Sequence, residues 1–134
     1  MGKSMETLTD TQKSIAEFLI TWARDHKAGE TSELLVDEPE LAKALGAPNW
    51  KRSYLHDLDM LSSYCARKDY PLVSLMVVIP GLEMPEKDIM IHAFKATLSN
   101  AENKKHLSTE LSTIKKTKQS TWDAFMEDVH PSEE

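Results

Sequence analysis

Between Leu72 and Ile79 the chain reads LVSLMVVI, a run in which only Ser74 is polar. Read as a strand, it is apolar on both alternating faces and has to be buried on both sides, under helices on one face and under helices or a partner on the other. Pro71 stands at its first position, where a missing amide costs least, and Pro80-Gly81 closes it. The stretch just before it has the opposite character. Tyr54, Leu55, Leu58, Leu61 and Cys65 recur at helical spacing and predict an amphipathic helix over about 51–67. Arg52, His56, Asp59, Ser63 and Arg67 lie on the other face. Cys65 is thus turned inward and His56 outward. Nine residues apart and half a turn out of phase, they cannot form a Cys–His pair on this helix. Cys65 is the sole cysteine, so an intramolecular disulfide and a cysteine-based zinc site are both excluded.

The remaining elements follow from caps and periodicity. Leu8, Ile15, Leu19 and Trp22, with Phe18 and Ala23 alongside, predict a helix over about 10–28, capped by Thr9 or Asp10 and ended by Gly29. ELLV at 33–36 is a brief strand or extended link. Asp37 then caps a short helix with Pro39 in its first turn, Glu40 in capping-box position, Leu41 and Leu45 inward, and Gly46 at its end. Pro48 and Asn49 belong to the turn before the third helix. Over 85–98 the opening Pro85, Glu86, Asp88 favours helix, although Ile89, Ile91 and Ala93 also alternate as in a strand. NAENKKH at 100–106 reads as a polar link. A long C-terminal helix is expected over 108–128, on Leu107, Leu111, Ile114, Trp122, Phe125 and Val129, with Lys118 interrupting the stripe. Residues 1–8 and 130–134 are expected to fray.

A chain of 134 residues is the size of one domain, 1–134, and carries no apolar run near the ~20 residues of a membrane helix. Its polar start lacks the apolar centre of a signal peptide, which points to the cytoplasm. The net charge of −6 disfavours nucleic acid as partner, but the charge is uneven. Residues 95–121 hold six lysines against Glu102 and Glu110, while 122–134 hold five acids and neither Lys nor Arg. Four scattered glycines provide no nucleotide loop, and no Gly-x-Ser-x-Gly is present. His56 and Asp59 share a helix face but do not by themselves make a metal site. His92 is expected half-buried on a backbone carbonyl, with an enzyme site near His92 and Asp88 the least favoured reading. No cofactor and no catalytic residue is nominated, and the oligomeric state is left open. The candidate protein contacts are His56, Asp59, Met60 and Arg67, and another protein is the expected partner. Asn49, Lys51 and Arg52 at the start of the third helix, with Lys115, Lys116 and Lys118, are the candidate nucleic-acid contacts.

The order helix, extended link, short helix, turn, longer helix, strand resembles a winged-helix module over 28–80. The expected fold class is therefore α+β, mostly helical and winged-helix-like. LAKALG at 41–46, LDMLSSYC at 58–65 and PLVSLMVV at 71–78 together resemble a group of small uncharacterised bacterial proteins with an LAxxxG, LxxLxxYC, PLxxLVV pattern. That resemblance implies a shared fold and carries no activity. Where such proteins often continue Pro-Gly-x-Gly-Phe, this chain has PGLEMPEKD. A weaker resemblance is to the DNA-binding domain of alkylguanine alkyltransferases. The reactive Pro-Cys-His-Arg of that family has no counterpart in PLVSLMVV, so only the scaffold would carry over. The expected function is a non-catalytic protein-interaction or accessory module, including a phage- or plasmid-type inhibitor that binds a host protein. A winged-helix DNA-binding regulator is the alternative.

Overall fold

A computed structural model describes residues 8–47 and 49–129. The turn at Pro48 and the fraying expected at 1–7 and 130–134 lie outside these residues. Leu8, expected to fray, is buried against the core. The described chain is mostly helical, with six α-helices and a short two-stranded parallel sheet.

Helix α1 spans Asp10–His26 and starts at Thr9 with a full capping box: the Thr9 hydroxyl accepts from the Gln12 amide, and Gln12 Oε1 accepts from Thr9 N. The Gln12 amide group is also spent across elements, its Nε2 donating to Asp57 at 3.1 Å. A 3₁₀ turn, Thr31–Leu34, leads into β1, Val36–Asp37. Asp37 caps α2, Glu38–Ala44, by accepting from the Glu40 amide at 3.0 Å. Helix α3 spans Ser53–Lys68 and buries Tyr54, Leu58, Leu61, Tyr64 and Cys65. It ends at Asp69 in the left-handed region, φ 63°.

The apolar run is not one strand. It is a 3₁₀ turn, Val73–Met76, followed by a two-residue strand β2, Val77–Val78. It is nonetheless buried on all sides, since the turn packs on α1, α3 and α5. β2 pairs with β1 in parallel, Val36 opposite Val77 and Asp37 opposite Val78. A parallel pair requires a crossover, here α2 and α3. The segment 28–80 thus ends in a parallel pairing, with Ile79–Met84 folded into a tight loop closed by Ile79 N donating to Met84 O at 2.8 Å.

Residues 85–98 do contain a helix, the shorter α4 at Lys87–Phe94, which ends at Lys95 in the left-handed region, φ 58°. The polar link at 100–106 is helical. Ser99 and Glu102 form a second capping box that opens α5, Asn100–Lys115. The long C-terminal helix is in fact two, α5 and α6, Gln119–Val129. A straight helix would carry Lys118 into the seam between Ile114 and Trp122, both fully buried. The chain breaks at 116–118 instead, so that Lys116 and Lys118 reach solvent while Trp122 and Phe125 turn onto the core.

The α6 end is held at α3. Phe125 stacks on Tyr70 at 4.4 Å, and Asp128 accepts from the Tyr70 hydroxyl at 2.5 Å and sits 3.6 Å from Lys68 Nζ. Phe125→Ala should cost about 3–5 kcal/mol through the cavity it leaves. Leu82→Ala, at a side chain 62% exposed, should stay within about 0.5 kcal/mol. Urea denaturation of both variants checks the pair.

Candidate functional site

α3 and α4 pack side by side, and two adjoining hollows between them form one groove. The first, about 270 Å³, has Leu55 and Ile89 on its floor and Arg52, His56, Asp59, Glu86, Lys87 and Asp88 around it. The second, about 240 Å³, is lined by Ser62, Ser63, Ala66, Arg67, Ala93 and Lys95 among others. His92 lines both. Early residues of both helices line the first hollow and late residues line the second, so the two helices run in the same direction along the groove. Their N-termini meet at one end and their C-termini at the other.

At the middle His92 Nδ1 lies 2.9 Å from both carboxylate oxygens of Asp59, joining α4 to α3. This differs from the sequence expectation: His92 is exposed and bonded to a side-chain carboxylate, not half-buried on a backbone carbonyl. Asp59 therefore serves His92 in place of sharing a ligand with His56. With Asp59 accepting at Nδ1, the neutral ring is held with its proton there and its lone pair at Nε2. That is the orienting half of an acid–base pair. Among the described residues, however, no hydroxyl or thiol is hydrogen-bonded to His92. The Ser62 hydroxyl donates to Leu58 O at 3.1 Å and, its single proton spent, accepts from Ser74 at 2.5 Å. Cys65 is fully buried and faces the Val73 backbone, and burial pushes its thiol up to about 12. His56 is exposed in the first hollow, so thiol and imidazole do not meet. Among the described residues no group of three or more His, Cys, Asp or Glu is placed to hold a metal ion.

Glu86, which lines the first hollow, is half of a carboxyl pair that the sequence did not suggest. Glu38, the first residue of α2, is only 7% exposed. Burial, then a hydrogen bond to Glu86, then the negative charges of Glu86 and Asp37 raise its carboxyl to about 8. The hydrogen bond to a second carboxyl group and the nearby negative charge favour the protonated form of Glu38.

The candidate basic residues do not converge. Asn49, Lys51 and Arg52 are exposed before the first turn of α3. Lys116 and Lys118 line a bowl of about 710 Å³ that begins at Cys65 and Ala66, near the other end of α3. The length of α3 between them is roughly 20 Å at ~1.5 Å per residue. Lys115 is half-buried and its ammonium donates to the Gly29 carbonyl, tying α5 to the loop after α1. The candidate protein contacts fare differently. His56, Asp59 and Arg67 all line the groove, and Met60, 39% exposed, follows Asp59 on α3.

No helix among the described residues is long and apolar enough to cross a membrane. The proton held on Glu38 gives a pH test. Glu38 keeps its proton in the folded chain to about pH 8 but loses it near 4.5 when unfolded. The folded state then binds more protons between these values, so stability falls as pH rises through that window. Glu38→Gln should therefore flatten the slope and exceed the wild type in urea midpoint at pH 8.5 more than at pH 5. Parallel midpoints at both pH values would show that the pair holds no proton. In comparisons with known proteins, no protein-family model, no curated protein and no solved structure matches this chain significantly.

Proposed function

We propose that the chain is a non-catalytic protein-binding module that docks its partner along the α3–α4 groove. The observation that supports this reading most is the gathering of His56, Asp59 and Arg67 into one groove with an exposed methionine beside it. A flexible, polarisable Met beside mixed charges suits an adaptable contact surface. The pairing of His92 with Asp59 fixes the groove's walls without presenting an activated nucleophile. A phage- or plasmid-type inhibitor of a host protein is the finer form of this proposal, motivated by the acidic balance of the chain.

The second reading is a winged-helix regulator that presents α3 to duplex DNA. Exposed Asn49, Lys51 and Arg52 at the start of that helix favour it. Asp59, Glu86 and Asp88, in the same hollow as Arg52, oppose it, because each would repel the phosphates it approached. Pull-downs from the host with the wild type, a Met60→Glu, Asp59→Lys double variant and a Lys104→Glu control separate the two. The docking reading expects a protein retained by wild type and control but lost with the double variant. Retention unaffected by the double variant, or salt-sensitive binding of duplex DNA lost with Lys51→Ala and Arg52→Ala, would contradict it.

A further inference from the structure

The groove is electrically lopsided, and the helix ends explain why. Each helix terminus carries about half an elementary charge, positive at the N-terminus and negative at the C-terminus. Because α3 and α4 run in the same direction, roughly one positive charge accumulates at the first hollow and roughly one negative charge at the second. At the first hollow three acids, Asp59, Glu86 and Asp88, face two cations, Arg52 and Lys87. That surplus of one negative charge offsets the two N-termini and leaves the hollow near neutral. At the second hollow the charged residues are Arg67 and Lys95, and among the described residues no carboxylate lines it. Two full positive charges exceed the roughly one negative charge of the two C-termini, so a positive surplus remains beyond what the helix ends require.

On the docking reading above, we propose that this second hollow receives the carboxylates of an acidic segment of the partner protein. Arg67 provides a planar two-donor fork, Lys95 a mobile point charge, and Ser63 a hydroxyl at the same wall. His92 stands at the boundary, already oriented by Asp59. A phosphoryl group is less well served. Phosphate sites draw on free backbone amides at helix N-termini, whereas here both helices present their carbonyl ends. Those amides that do lie nearby are used internally: Lys95 N and Ala96 N both donate to Ile91 O.

The test uses a fluorescein-labelled hexaglutamate peptide in anisotropy titrations at low salt against the full chain. Arg67→Gln with Lys95→Gln should weaken binding at least tenfold. Arg52→Gln with Lys87→Gln, and Lys116→Gln with Lys118→Gln, should leave it within about twofold, with unchanged near-ultraviolet circular dichroism throughout. Absence of hexaglutamate binding would overturn the inference, as would equal weakening by all three pairs. Inorganic phosphate that binds at Ser63, Arg67 and Lys95 more tightly than the peptide would overturn it in favour of a phosphoryl ligand. If a host protein is still captured through Met60 and Asp59 while hexaglutamate ignores Arg67 and Lys95, the acidic-segment inference falls and the docking reading stands.

Discussion

The structure depends on a buried length of chain that is not helical. Pro71–Val78 passes between α1, α3 and α5, with Val73 through Val78 all buried. Inside a core, an unpaired amide or carbonyl costs as much as a lost hydrogen bond, so such a segment is tolerated only if its polar groups are paired internally. They are paired in several ways at once. Leu75 N donates to Leu72 O, Val77 N to Ser74 O, and β2 pairs with β1. The one polar side chain of the run, Ser74, gives its hydroxyl proton to Ser62 on α3. Ser62 and Ser74 thereby satisfy each other at the site where α3 crosses the segment.

That axle sets the rest. Once β2 is laid parallel to β1, α2 and α3 have to form the crossover, and α3 comes to lie over the core with its stripe from Tyr54 to Cys65 buried. The tight loop after β2 then delivers α4 alongside α3 in the same direction. Two helices pointing the same way do not cancel their dipoles as antiparallel neighbours do, and charged side chains have to answer at both ends. The acids near the N-termini and Arg67 and Lys95 near the C-termini are that answer. The polarity of the groove is thus a consequence of the topology, and a surplus of positive charge remains at one end.

Much of the scaffold was legible because it rests on local signals. Thr9 and Asp37 cap where their side chains predict, α3 buries the stripe its spacing sets except Leu55, which is half-buried in the groove, and Cys65 and His56 face opposite ways as their separation requires. Ser99 and Glu102 carry an equally local capping signal, but the lysines that follow give 100–106 the composition of a link. The apolar run was legible as buried but not as a 3₁₀ turn plus a short strand, because a segment apolar on every side has no periodicity to distinguish the two. The break between α5 and α6 arises from where Lys118 would have gone in three dimensions. The groove itself lay beyond local signals. Asp59 and His92 are 33 residues apart, and Glu38 directly after β1 meets Glu86 only through the pairing of β1 with β2 and the loop that follows β2.

The fold therefore stands on the internal pairing of Pro71–Val78. Native-state hydrogen exchange measures it directly at the amides of Leu75 and Val77. If the segment is the axle of the fold, both exchange only through global unfolding, with an opening free energy equal to that from denaturant. Exchange at either amide by local opening, as fast as at exposed Leu82, would contradict the account.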